Sequence, residues 1–521
     1  MTTAHPCLLP LLALLLSTCQ PRSTQKPLLS RVRPDESGLA FVNKIQPFEG
    51  EQLNATTYDP LYNGAGVGIG DFDRDGRPDV FFAGNMVSSR LYLNRTAPGT
   101  ADLRFTDVTQ AAGLTTRVWC TGVSVADVNA DGWPDVYVCV AGPDTTGADR
   151  ANRLFINQQA APGQVPTFRE MAREYGLAEV GMNSQAAFFD YDHDGDLDCY
   201  ILKNAAERTG RNAIRPKRTD GSGPSTDKLY RNDGPIPGPP LRHSPVQFTD
   251  VSRQEGITIE GYGLGLTIAD INQDGWLDIY CANDFLSNDL LWINQHNRAG
   301  RHTGFRNETA TYFKHTSYNS MGVDIQDVNN DQRPDVMVVD MLPETDERQK
   351  MMLIKTNWDF FHLARQQGYQ DEYVRNTLQV NMGSRQEKDT ETGPTSPAPF
   401  FSEAGQMAGV FRTDWSWSPL MQDFDNDGRK DLLITNGYRR DITNLDYVVY
   451  LNRQVAGFGA RGASREKPSL DALYKLPEIK LHNYAYQNIT PPTTGNAANP
   501  PLFADKSEVW GMGEQIGRAH V

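Results

Sequence analysis

A chain of 521 residues, 39% hydrophobic and 22% charged, has ordinary globular composition and room for several domains or one large repeat fold. A formal charge of −15 excludes nucleic acid as a main partner, because phosphate binding needs clustered Lys and Arg. The 45 glycines and 32 prolines suit a fold with many tight turns.

Leu8 to Leu16 is an apolar run of signal-peptide length, too short to span a bilayer as an ordinary helix. Met1 to Pro6 carries no Lys or Arg, which departs from the usual basic flank. Leu16-Ser17-Thr18-Cys19 resembles a bacterial lipobox, except that Thr18 stands where Gly, Ala or Ser is usual. Residues 1–19 are therefore expected to be an export signal, with a cleaved leader and a lipidated Cys19 both open. The chain is expected to be secreted or held in the cell envelope, as an outer-membrane lipoprotein if Cys19 is lipidated. A lipid at Cys19 is the only membrane attachment expected, since no other stretch is long and apolar enough to cross.

Cys120, Cys139, Cys199 and Cys281 follow, without CxxC spacing, so a zinc site is not expected. Cys120 and Cys139 flank one loop on adjacent expected strands. An oxidising compartment would permit a bridge between them, and burial as two small hydrophobes is the other reading.

A nonapeptide then organises the chain. It occurs six times, at 71–79 (DFDRDGRPD), 127–135 (DVNADGWPD), 190–198 (DYDHDGDLD), 270–278 (DINQDGWLD), 327–335 (DVNNDQRPD) and 423–431 (DFDNDGRKD), spaced by 56, 63, 80, 57 and 96 residues. Short alternating or apolar stretches flank each copy, as in Val67-Gly68-Ile69 and Val80-Phe81-Phe82, and this pattern predicts a β-hairpin around the loop. A third strand ends in asparagine at Asn94, Asn157, Asn232, Asn294 and Asn381. A fourth carries Phe and an acid two residues on, at Phe105, Phe168, Phe248, Phe401 and Phe503. Four short strands per unit predict an all-β β-propeller with helical insertions, and a solenoid would have shorter repeats.

Glu344 to Gln367 and Thr443 to Ala456 read as helical insertions, the first laying Trp358 and Phe361 on the propeller. Asn204 to Lys228 and Lys388 to Ala398 read as surface loops. The propeller is set at residues 38–515. Its closing blade opens at Phe503 to Met512 without a seventh loop, and is expected to be incomplete or to borrow a strand from Leu39 to Lys44. Ile516 to Val521 spells a translated sequencing-adapter read-through and is set aside as an artefact.

The loop D-x-[DN]-x-D-G-x-x-D offers the oxygens that a hard cation of flexible coordination requires. Positions 1, 3 and 5 converge as the chain curls, position 7 gives its backbone carbonyl, and position 9 closes the cage. In loop one these are Asp71, Asp73, Asp75, Arg77 and Asp79; in loop two, Asp127, Asn129, Asp131, Trp133 and Asp135. Loop three offers Asp190, Asp192, Asp194, Asp196 and Asp198, and loop four Asp270, Asn272, Asp274, Trp276 and Asp278. Loop five offers Asp327, Asn329, Asp331, Arg333 and Asp335, and loop six Asp423, Asp425, Asp427, Arg429 and Asp431. Six calcium ions are the expected cofactors. Loop five should be weakest, because Gln332 replaces the glycine that the left-handed position 6 favours. Loops one, three and six, with a carboxylate at position 3, should be strongest.

These motifs together resemble the FG-GAP/VCBS repeats of integrin-type propellers, and more closely the exported VCBS-repeat proteins of Bacteroidota related to cartilage acidic protein. Tyr62 to Gly68, Arg375 to Gln379 and Thr413 to Pro419 carry the closer likeness. The resemblance implies calcium binding, a seven-bladed ring and no defined ligand. The expected function is a binding or adhesion module at the cell surface, with an extracellular protein or glycan as partner. The rival is a propeller enzyme, or enzyme-associated module, acting on extracellular polysaccharide. No HExxH, GxSxG or Cys–His signature supports that rival. Gly64 to Gly70 leads into an Asp loop rather than a helix, His193 at position 4 should face solvent, and Trp415 and Trp417 read as a wedge between blades rather than a sugar platform.

Overall fold

The computed structural model describes residues 27–45, 58–143, 150–204, 214–236, 245–352, 358–384, 399–438, 440–449, 474–476, 478–491 and 499–513. The export signal, the adapter-like tail and 388–398 lie outside them.

Six four-stranded antiparallel sheets follow one another along the chain, each in the strand order 1-2-3-4. Blade one runs Val67–Gly70, Asp79–Phe82, Arg90–Asn94 and Phe105–Asp107. Blade two comprises Trp119–Ala126, Asp135–Ala141, Arg153–Asn157 and Phe168–Glu170; blade three, Asn183–Phe189, Asp198–Lys203, Lys228–Pro235 and Val246–Asp250. Blade four is Gly263–Ala269, Asp278–Asn283, Leu290–His296 and His302–Asn307; blade five, Gly322–Gln326, Asp335–Val339, Thr377–Ser384 and Pro399–Glu403. Blade six is Ser416–Gln422, Asp431–Asn436, Tyr484–Asn488 and Phe503–Asp505. First strands of successive blades pack together from blade one to blade six, so the fold is an all-β propeller.

The second strands explain themselves. DVYVCVA in blade two and DVMVV in blade five are buried along their whole length between neighbouring sheets, so apolar residues run continuously rather than alternating. The four thiols are separate and buried.

Every Asp loop joins strands one and two of its blade, so all six share one rim. The connections from strand two to strand three leave from the opposite rim, and the described residues of the long insertions at 204–227, 340–376 and 437–483 follow from there. Among the described residues the 340–376 insertion forms helices Asp346–Met351 and Trp358–Gln366, and 445–449 is also helical. The expected seating of Trp358 is corrected: it is 75% exposed. Phe360 and Ala364, one helical turn apart, face inward onto Leu286, Tyr369 and Ile214, leaving Trp358 on the outer side. The loop before Lys228 packs rather than wanders, for Lys217 Nζ donates to Asn288 Oδ1 at 3.3 Å and Asn288 Nδ2 to Glu372 Oε1 at 2.5 Å.

After each fourth strand comes a helical turn, closed in five of the six blades by a left-handed glycine: Gly113, Gly176, Gly256, Gly409 and Gly511. All but Gly409, which has open space beside it, lie against the backbone of the neighbouring segment. A Cβ on Gly176 would lie 2.6 Å from the Phe248 carbonyl, and one on Gly256 2.6 Å from that of Phe305. Gly176→Ala adds left-handed strain of about 1–2 kcal/mol to that clash, so its unfolding midpoint should fall by several degrees. Gly132→Ala strains the backbone without a comparable clash, and should cost less in the same scan.

Seven blades were expected and six stand among the described residues. The first strand of blade six has no comparable packing against that of blade one there. A different segment meets blade six. Leu29 N–H donates to the Trp510 carbonyl at 2.9 Å, as Phe305 N–H donates to that of Glu255 at 2.7 Å. A Cβ on Gly511 would lie 2.5 Å from the Leu29 carbonyl, repeating the contacts of Gly176 and Gly256. The short helix Pro34–Ser37 then ends at left-handed Gly38, like the turns after the fourth strands. Residues from Leu39 onward, the segment expected to donate a strand, instead cover blade one, where Phe41 stacks on Phe82 at 5.2 Å.

Candidate metal centres

The six loops share one curl. The position-1 carboxylate accepts the N–H of position 6 in every copy, at 2.7 to 3.1 Å, as in Gly76 to Asp71 and Gln332 to Asp327. The position-5 carboxylate accepts the N–H of position 7, as in Arg77 to Asp75 at 3.0 Å. Position 6 is left-handed throughout, Gln332 included, with φ of 68°. Position 4 is left-handed as well, at Arg74, Ala130, His193, Gln273, Asn330 and Asn426; Asn and His favour that region, whereas Arg, Ala and Gln do not announce it.

The curl brings carboxylates together. One oxygen each from Asp71, Asp73 and Asp79 lie within 4.8 Å of one another; so do those of Asp190, Asp192 and Asp194, and of Asp423, Asp425 and Asp431. These are the loops with a carboxylate at position 3. Asn129, Asn272 and Asn329 hold that place in the others, where each Oδ1 accepts a position-5 N–H at 3.0 to 3.2 Å.

A cation fits this donor set. Oδ1 atoms of Asp73, Asp190, Asp192 and Asp196 are buried without a hydrogen-bond donor, and Asp73 is fully buried as a residue. Burial followed by the Asp194 charge pushes the Asp192 carboxyl up, and the same causes raise Asp196 to about 6. Loop three therefore concentrates the charge that a cation would relieve. Elsewhere arginines share the carboxylates. Arg77 and Arg429 pair with the position-5 aspartate of their own loops, and Arg333 with Asp331 at 2.7 Å. Arg95 reaches Asp73 at 2.8 Å and Asp75 at 3.0 Å.

Position 9 has a second task that was not foreseen. In each loop one oxygen accepts the N–H of position 2, and the other that of the recurring asparagine of strand three. For Asp198 these donors are Tyr191 at 3.2 Å and Asn232 at 2.9 Å. The asparagine side chain then crosses to the preceding blade in three cases: Asn157 to the Phe72 carbonyl at 3.1 Å, Asn294 to Tyr191 at 2.8 Å and Asn488 to Val328 at 2.8 Å. The recurring Asn in LYLN and LFIN was the available signal. Its copy at Asn488 was hidden behind the long 437–483 insertion.

Burial raises these position-9 groups against their backbone bonds, Asp79 to about 6, Asp335 to about 7, and Asp135, Asp198 and Asp278 to about 8. The unfolded chain releases these protons near 3.8. Protons thus leave on unfolding between those values, and stability falls as pH rises. In chelator, this contribution should be complete below about pH 4 and lost above about pH 8. Unfolding midpoints across that window check it: Asp198→Asn should flatten the fall, and an unchanged slope would refute the assignment.

His193 is exposed, as expected of position 4, but one face of its ring is covered. It stacks on Trp276 at 3.9 Å and 14°, and Trp276 stacks on His296 at 5.4 Å. Trp415 is buried against Tyr438 at 3.8 Å, and Trp417 Nε1 donates to the Gly437 carbonyl at 2.5 Å, so neither forms an open platform.

Residues 55–138 and 270–338 match the FG-GAP-like repeat. Each segment runs from a loop region into the second strand of a blade. Cartilage acidic protein 1 of Mus musculus is 29% identical over 143 residues, a stretch covering 27% of this chain and 21% of that protein. The chain thus carries FG-GAP-like repeats on an all-β propeller with six blades among its described residues.

Proposed function

We propose that this chain is a calcium-binding, extracellular or cell-surface propeller that acts as a binding or adhesion module and not as an enzyme. The observation that carries the metal part is the convergence of three carboxylates in each of loops one, three and six, with buried, donorless oxygens at Asp73, Asp190 and Asp192. Calcium suits the site better than magnesium, which demands a tighter octahedron and gives up its water reluctantly. The ligands are those at positions 1, 3 and 5 and the position-7 carbonyl. Position 9 divides its carboxylate between the ion and the backbone.

The rim opposite the loops is the proposed partner face. There the insertions are locked together through Lys217, Asn288 and Glu372, and Trp358 and Leu363 stand exposed on a helix held from beneath. The partner is an extracellular protein or glycan. Arrays of matrix proteins and of polysaccharides, probed in calcium and in chelator, test this reading. Retention in calcium, loss in chelator and no polysaccharide cleavage are expected. Cleavage, or binding indifferent to calcium, would overturn it.

The ring is also proposed to be seven-bladed. Support comes from Leu29, Pro34–Ser37 and Gly38, which repeat the contacts of an outer strand and its following turn between blades six and one.

A further inference from the structure

The left-handed residue at position 4 lies between two cation ligands of its own loop, yet its side chain contacts the next loop along the ring. Arg74 of loop one holds its guanidinium 5.2 Å from the ring centre of Trp133, position 7 of loop two. His193 of loop three stacks on Trp276, position 7 of loop four. Gln273 Nε2 of loop four donates to the carbonyl of Gln332, position 6 of loop five, at 2.5 Å. Asn330 Nδ2 of loop five donates to the carbonyl of Gly428, position 6 of loop six, at 2.9 Å. Loop two has only the methyl of Ala130 at this place.

Positions 6 and 7 are the residues on which the next site depends. Their N–H groups hold the position-1 and position-5 carboxylates, and position 7 offers its backbone carbonyl. We propose that Gln273 is a positioning residue for the loop-five cation site, and that position 4 couples neighbouring sites in two groups, loops one and two, and loops three to six, divided at Ala130. This rests on the reading of the loops as cation sites. An ion in loop four draws positions 3 and 5 inward and fixes the turn between them. Gln273 is then held against Gln332, the residue whose side chain makes the left-handed position unfavourable. Loop five is thereby ordered in advance, and the coupling must act equally in both directions.

Calcium titrations of the full chain by calorimetry, for the wild type, Gln273→Ala, Gln273→Asn and Asn330→Ala, test the proposal. Gln273→Ala should weaken one site by about threefold to tenfold, the scale of one neutral hydrogen bond, and lower the steepness of filling. The unfolding midpoint in chelator should stay at the wild-type value, which a merely structural role would not allow. Gln273→Asn carries the donor that Asn330 uses, and should recover much of the lost affinity. Asn330→Ala should weaken loop six in the same way. If no calcium binds at all, the cation reading fails. If calcium binds and the Gln273→Ala and Asn330→Ala curves superimpose on the wild type, the coupling fails and the cation reading stands.

Discussion

Calcium added to the chelated chain should raise its unfolding temperature clearly, and equimolar magnesium should do so far less. Extracellular calcium modules bind at about 10⁻⁴ to 10⁻³ M, so millimolar calcium suffices for the stronger loops. An ion that binds only the folded state stabilises by about 1.4 kcal/mol per site at ten times its Kd. With several sites filled the total exceeds any single surface substitution. Arginine competition makes the loops unequal: Arg77 and Arg95 already pair with Asp73 and Asp75, so an ion in loop one must displace cations, whereas loop three leaves three buried oxygens without donors. Asp192→Ala should therefore remove a larger calcium-dependent increment than Asp75→Ala, and Asp331→Ala the smallest, since Asn329 and Gln332 already weaken that loop. Differential scanning in calcium, magnesium and chelator reads all of this. Three coincident curves would reduce the loops to turns.

The blades were legible because their signal is local. Each Asp loop and its flanking β runs form one short stretch of chain, and turn chemistry with period-two patterning reads at that range. The glycine at position 6 was equally readable, since one backbone conformation demands it. Features that depend on the neighbouring blade were not. Asn and His at position 4 tolerate a left-handed turn, but Arg, Ala and Gln in the other copies do not announce that all six share it. His193 is exposed as read, but its stacking on Trp276, 83 residues away, is not visible from the loop itself. Blade four hid its last strand because Phe305 is followed by Asn307 instead of an acid, and blade six hid its third behind an insertion. Trp358 was misjudged for a related reason: helical spacing gives the apolar residues of a face, but Leu286 and Ile214, which decide which face turns inward, come from other segments.

Asp198→Ala and Asp192→Ala lie six residues apart in loop three and should behave oppositely. Asp198 is fully buried, and its two oxygens accept the N–H groups of Tyr191 and Asn232. Truncation leaves two buried donors unpaired, at about 1–3 kcal/mol each. Burial of the carboxyl, which raises it to about 8, offsets part of that loss, because an alanine has no charge to desolvate. The unpaired donors outweigh that offset, since they fix the loop to strand three whether or not an ion is present. Asp198→Ala should therefore lower the unfolding midpoint by several degrees or more in chelator, and by more in calcium, where a shared ligand is lost as well. Asp192 is half-buried, with an oxygen that no donor meets and a carboxyl pushed up by burial and by Asp194. Its truncation relieves repulsion, so stability in chelator should hold or rise slightly, and the calcium increment of that loop should vanish. Equal losses in chelator for the two variants would mean that position 9 is no backbone latch. Equal losses confined to calcium would make Asp198 a ligand with no backbone task, and the division of labour within the nonapeptide would have to be redrawn.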